Sequence, residues 1–235
     1  LIIYDPAEGL LLPESVKRSH RPITKAERRH ILAVAQTHPA GLWVLTILYT
    51  GLRPGETAAL FWEDIDFDRN EIHVYKAVES GTRTIKAPKT PAGIRDIPMR
   101  QELRERLLAG RGEGAAPVFP SANGGIRSAN SLRRLWNSFA HALDLHMGAK
   151  VRDGQILQHA IAPDLTPYCL RHTFCTDLQR AGVPINVAKE LMGHANISVT
   201  ANIYTHRDQK VLHNNMAKLN PKGRRAVGKT QEKTV

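Results

Sequence analysis

Between residues 24 and 60 the apolar positions fall at helical spacing and are bounded by helix signals. Thr24-Lys25-Ala26-Glu27 is a capping-box pattern, in which a hydroxyl and a carboxylate three residues on satisfy amides that a new helix leaves orphaned. A second helix, apolar nearly throughout, is predicted over Leu42 to Tyr49. Gly51 ends it, and Pro54 opens a third, short helix through Leu60. The period then changes to two. Ile72 and Val74 alternate with polar neighbours, Asp68-Arg69-Asn70 reads as a turn, and Gly81 and Pro91-Ala92-Gly93 mark two more. Strands near 64–67, 71–76, 82–86 and 94–98 are therefore expected to form one small antiparallel sheet. Helices return afterwards. Leu132, Leu135, Trp136, Phe139 and Leu143 make one apolar stripe; Thr166-Pro167 opens a helix that Gly182 closes, and Pro184 opens another that Gly193 closes. Val211, Leu212, Met216 and Leu219 mark a last short amphipathic helix over about 208–219. No internal repeat is evident. The expected fold class is α+β, mainly α-helical, with the small sheet inserted near the N-terminal side.

The same pattern suggests an organisation. Residues 1–20, with Pro6, Gly9, Pro13 and a basic stretch from Lys17 to Arg21, read as a linker, and a chain opening on Leu1 reads as a piece of a longer protein. Residues 21–207 form the domain proper, 208–220 a C-terminal tail helix, and 221–235 a Lys/Arg-rich, apolar-poor tail expected to be disordered.

The chain's 235 residues suffice for one good core, and no apolar run approaches the roughly eighteen residues of a membrane span. The N-terminus carries no basic region followed by a long apolar one, so a cytoplasmic protein without a membrane role is expected. Composition adds a partner. A net charge of +11 implies a polyanion, because Lys and Arg that neutralise phosphates release condensed counterions, and no basic amphipathic anchor helix points to a lipid surface. Nucleic acid is favoured; charge alone does not choose DNA over RNA. Cys169 and Cys175 lie six apart, which is neither redox nor zinc spacing, and read as reduced thiols. The histidines are scattered, with no HExxH or paired CxxC, so no metal site is expected.

Four places combine unusual groups. Thr50-Gly51-Leu52-Arg53-Pro54-Gly55-Glu56 sets an arginine at a helix mouth, where free amides already favour an anion; otherwise Arg53 is a surface residue in a helix–helix turn. Lys89 stands on the turn between two predicted strands and is either solvated or reaches into a cleft as a proton donor. Leu170-Arg171-His172-Thr173 lies near a helix start, where the dipole disfavours cations, so a bound anion would rationalise Arg171. Arg171 and His172, about 100° apart on the helix, are expected to face differently, so that only one lines a site. Finally, Met192-Gly193-His194 precedes Tyr204 by ten residues, and an isolated tyrosine is ordinarily a packing residue.

Singly these signals are weak, but their order is specific. The segments TGLRPGE (50–56), PKTPAGIRDIP (88–98), LRHTF (170–174), LMGH (191–194) and NIYTH (202–206) together resemble the tyrosine recombinase, or phage integrase, family. The resemblance implies the catalytic-domain architecture of that family and a metal-independent DNA strand transferase, a site-specific recombinase of a phage or mobile element. It further implies Arg53 and Arg171 as phosphate-clamping arginines, Lys89 as the hairpin lysine, His194 as the histidine of the late glycine–histidine motif, and Tyr204 as the nucleophile. Glu56 is implied to support Arg53 or the local turn, and His172 to be structural. Implied partners are double-stranded DNA, other copies of the chain (a tetramer on DNA, joined through the exchanged C-terminal tail) and DNA-bending accessory proteins. An N-terminal DNA-binding region is expected ahead of the linker.

One position departs from the family pattern. Three residues before Arg171 a histidine is usual, and this chain has Tyr168. A phenol with a pKa near 10 is a poor base at neutral pH but still donates a hydrogen bond to phosphate, so Tyr168 is expected to line the site without acting as a base. Three rival readings remain: a catalytically weakened DNA-binding accessory protein of the same fold, a type IB topoisomerase-like enzyme, and a metal-dependent nuclease or transposase. The last would need clustered carboxylates, whereas Asp64, Asp66 and Asp68 fall on a predicted strand and turn and read as surface charge.

Overall fold

The computed structural model describes residues 20–79, 82–88, 90–204 and 216. The expected linker over residues 1–19, Lys89, the tail helix and the basic C-terminus therefore lie outside the described residues, save for single positions.

The Thr24 capping box forms as read: the Thr24 hydroxyl accepts from the Glu27 amide, and the Glu27 carboxylate accepts from the Thr24 amide, opening helix α1 (Lys25–Val34). Helix α2 (Gly41–Thr50) has nine buried residues, as its nearly continuous apolar sequence requires. It runs through the centre of the fold, against α4 (Gln101–Ala109) and α6 (Pro167–Arg180), while α1 packs on α5 (Ala129–His146). Leu132, Trp136, Phe139 and Leu143 of the α5 stripe are buried and Leu135 is half-buried, so the stripe is core. Helix α3 (Pro54–Ala58) is shorter than predicted, ending before Leu60.

The sheet is split rather than continuous. Strands β1 (Ile65–Asp66), β2 (Glu71–Val74) and β5 (Arg95–Pro98) form a three-stranded antiparallel sheet in the order β1-β2-β5, with Ile72 opposite Ile97 and Val74 opposite Arg95. Strands β3 (Ala77–Val78) and β4 (Ile85–Lys86) pair only with each other. The predicted 71–76 strand breaks after Val74, next to Lys76. The Lys76 ammonium is drawn to the Asp64 carboxylate at 2.9 Å and lies 4.4 Å from the centre of the Phe61 ring. Asp64 itself is 2% exposed and accepts from the Phe61 amide, so it is a structural acceptor and not surface charge. Strands β4 and β5, the described strands before and after Lys89 in the sequence, consequently belong to separate sheets and do not pair with each other.

A third strand pair, β6 (Lys150–Arg152) and β7 (Gln155–Gln158), projects between α5 and α6. Helices α7 (Ile185–Met192) and α8 (Ile197–Tyr204) pack on one another and on α6. No described helix is long and apolar enough to cross a membrane. Mainly helical, with two small antiparallel sheets in its first half and the β6–β7 pair beyond α5, the fold has the expected class.

Candidate active site

Helices α2 and α7 each end in a left-handed glycine, Gly51 at φ 66° and Gly193 at φ 62°. Only glycine adopts that conformation without strain. A side chain is also excluded by space: a Cβ on Gly51 would lie 2.5 Å from the Phe174 ring, and one on Gly193 2.7 Å from the Arg95 guanidinium. The last carbonyls of a helix lack intrahelical donors and carry the negative end of its dipole, so they attract cations. Arginines fill these places. Arg171 donates through Nη1 to the Gly51 carbonyl and through Nη2 to the Met192 carbonyl at 2.5 Å. Arg53 Nη2 donates to the Gly193 carbonyl at 3.0 Å, and Arg95 Nε to the Leu191 carbonyl at 2.8 Å. Three consecutive carbonyls at the end of α7 thus hold one arginine each.

Glu56 is the counter-charge among them. Its Oε1 accepts from Arg53 Nη1 at 2.8 Å and Arg95 Nη1 at 3.2 Å; its Oε2 accepts from the Arg53 amide at 2.7 Å and Arg95 Nη2 at 3.0 Å. Arg171 Nη1 lies 4.0 Å from the same carboxylate. Burial by itself would raise the Glu56 pKa, but the Arg95 hydrogen bond and the charges of Arg95, Arg171 and Arg53 outweigh it and hold the carboxyl below its ordinary value. Burial first, then the neighbouring Arg53 and Arg95 charges, push Arg171 down to about 9, so it stays protonated at neutral pH. Three guanidiniums against one carboxylate leave a surplus of positive charge in the site.

His194 follows Gly193 directly. It is buried, and its Nδ1 lies 2.9 Å from the Thr200 hydroxyl of α8. Burial, then the Arg171, Arg53 and Arg95 charges, lower its pKa to about 3, so the imidazole is neutral under physiological conditions.

Two adjoining recesses open over this cluster. A cleft of about 1030 Å³ is bordered by Arg53, Glu56 and Tyr168, and by Pro88 and Thr90 on either side of Lys89. A pocket of about 520 Å³ is bordered by Arg171, His172, His194 and Tyr168, together with Asn202 and Ile203 of the last turn of α8. Tyr168 belongs to both. The structure thus gathers Arg53, Glu56, Tyr168, Arg171, His172 and His194. The Lys89 site and the position of the Tyr204 side chain lie outside the described residues, although the backbone of α8 ends at Tyr204.

Two expectations are corrected here. Arg171 and His172 border the same pocket, because a recess at the start of α6 wraps around more than the 100° between neighbouring residues. Arg171 also needs no bound anion to account for its position near the α6 start, since carbonyls at the ends of α2 and α7 receive its donors.

Three residues escaped the sequence reading. Arg95 is buried against Glu56, Thr200 contacts His194, and the ring of His20 stacks on Tyr168 with centroids 5.1 Å apart. Arg95 had a signal. It shares the inward face of its strand with Ile97, and a buried charge demands a partner. The His20 contact joins the first described residue to the start of α6, far away in the sequence, and leaves no local trace there.

The chain is similar to known proteins over most of its length. The chain is 29% identical over 218 residues to a tyrosine recombinase XerC-like protein of Caldanaerobacter subterraneus, covering 88% of this chain and 56% of that protein. It is 31% identical over 169 residues to the transposase of transposon Tn916 from Enterococcus faecalis, covering 69% of this chain and 41% of the other. The chain therefore spans about half the length of these relatives. Among solved structures, the Tn1549 transposon integrase in complex with circular intermediate DNA superimposes with a TM-score of 0.70 at 26% identity, over 92% of this chain and 72% of that one. The model of the phage integrase family matches residues 21–210, and the chain belongs to that family.

Proposed function

We propose that this chain carries the catalytic domain of a site-specific DNA recombinase, which cleaves and rejoins strands through a 3′-phosphotyrosyl bond to Tyr204 during movement of a phage or mobile element. The observation that carries the reading is the convergence of Arg53, Arg171 and the neutral His194 on adjoining recesses beside the last turn of α8, the helix that ends at Tyr204. Double-stranded DNA as substrate is supported by the net charge of +11 and by a solved relative described in complex with DNA.

Phosphodiester cleavage is slow because anionic charge repels the nucleophile and the alkoxide leaves poorly. Arg53 and Arg171 offset the first barrier by donating to the non-bridging oxygens as charge builds on the pentacoordinate phosphorus. In this scheme the Thr200 hydroxyl donates to Nδ1 of His194, so that Nε2 carries the ring proton and gives it in a hydrogen bond to the same phosphate. The Tyr204 oxygen attacks phosphorus as its proton passes to solvent water, the P–O5′ bond breaks, and Lys89, entering as the ammonium, gives a proton to the departing 5′-oxygen and is left as the neutral amine. The phosphotyrosine conserves the bond energy, so a 5′-hydroxyl from another strand reverses the step and no nucleotide is consumed.

A suicide substrate, a duplex nicked so that the cleaved piece diffuses away, tests this. The native chain is expected to form a covalent protein–DNA adduct stable to denaturant, and Tyr204→Phe none. An adduct that survives Tyr204→Phe, or a native chain that binds the duplex and forms none, overturns the reading in favour of a binding-only relative.

A further inference from the structure

Arg95 differs from the other two guanidiniums. Its side chain is 2% exposed, against 6% for Arg171 and 37% for Arg53, and unlike both it borders neither recess. It cannot reach a substrate in this arrangement, yet every contact it makes ends on the site. Nε donates to the Leu191 carbonyl, Nη1 to Glu56 and to the Gly93 carbonyl, and Nη2 to the other oxygen of Glu56. Glu56 in turn holds both the amide and the guanidinium of Arg53. On the other side, Leu191 stands immediately before the Met192 and Gly193 carbonyls that hold Arg171 and Arg53, and His194 comes next.

Stability does not account for this pair. Removing a guanidinium and a carboxylate from water is costly, and apolar residues of similar size commonly serve a core as well or better. What the ion pair supplies is geometry. A planar fork can bind both oxygens of one carboxylate while its Nε serves a third acceptor; a lysine, a point charge on a flexible stem, cannot.

We propose that Arg95 is a positioning residue for strand cleavage: by gripping Glu56 and the Leu191 carbonyl together, it locks α3 to the end of α7 and sets the spacing of Arg53, Arg171 and His194. The inference rests on the strand-transfer reading above.

Arg95→Lys and Arg95→Gln test it in single-turnover adduct formation, alongside duplex affinity and thermal midpoint. Displaced phosphate donors are expected to slow adduct formation about 10- to 100-fold in both variants, while the duplex Kd changes by less than about threefold, since misplacement by an ångström acts on the transition state far more than on binding. A Lys variant that keeps its fold and cleaves at the native rate overturns the proposal, as does a loss of affinity as large as the loss of rate. Hydrogen exchange of the Arg53 and Arg171 guanidinium protons, followed by NMR without DNA, reads the positioning independently of catalysis. Faster exchange in a folded Arg95→Lys variant supports the inference even if the native chain forms no adduct, and unchanged exchange overturns it whatever the adduct assay gives.

Discussion

Tyr168 illustrates how a single residue's surroundings limit its chemistry. It is 44% exposed, borders both recesses and stacks on His20, a placement that suits a hydrogen bond to a bound phosphate. General bases contribute about 100-fold or more, so a residue that only hydrogen-bonds or stacks should cost far less when trimmed. Tyr168→Phe keeps the ring on His20 and is expected to slow adduct formation by less than about tenfold; a loss as deep as that of Tyr204→Phe would assign Tyr168 to the proton transfer. Arg171 shows the opposite case. Its identity as a site residue was legible from the LRHTF segment, but its partners were not, because the Gly51 and Met192 carbonyls reach it only when three helices meet.

At the scale of elements, the ends of helices hold the arginine cluster. Gly193 has a left-handed backbone and a Cβ path blocked by Arg95 and by the Ala92 carbonyl. Gly193→Ala should therefore destabilise the fold by about 1–3 kcal/mol and displace Arg95 from Glu56, lowering both the thermal midpoint and the cleavage rate; an alanine variant equal to the native chain in both would contradict the close approach. Strong local signals made the helices readable: the Thr24–Glu27 capping box, the glycine closures of α2 and α7, and the Trp136–Phe139–Leu143 stripe of α5. The strands were less legible. Two-residue strands such as β3 and β4 are too short for an alternation to develop, and their pairing with each other, leaving β5 to β2, is fixed by contacts distant in sequence. The β6–β7 pair, all but one of whose residues are exposed, offers no apolar period at all.

For the molecule as a whole, burying this charge cluster ties folding to pH. His194 has a pKa of about 3 when folded against an ordinary 6.5. Between these values the unfolded chain binds a proton that the folded one refuses, so this contribution to stability is complete above about 6.5 and is lost as pH falls toward 3. Glu56, Glu27 and Asp144, all held below the ordinary carboxylate range, act with the same sign at the acid end. The thermal midpoint is expected to be flat between about pH 7 and 8 and to fall in acid, with His194→Gln flattening the curve between about pH 6.5 and 4.5. Parallel curves for variant and native chain across that window would contradict a buried, neutral His194.

The sequence by itself determined most of the helical framework and the family, and it named the candidate site residues, because caps, stripes and short motifs are local and survive without a fold. It also set the excess of positive charge that calls for an anionic partner. Only the tertiary structure decided how those side chains are held. The socket at the end of α7, the sharing of Glu56 among three arginines, the neutrality of His194 and the stacking of His20 on Tyr168 all join residues far apart in the chain. Hydrogen-bond direction and burial, on which their charge states depend, exist only after the helices have packed.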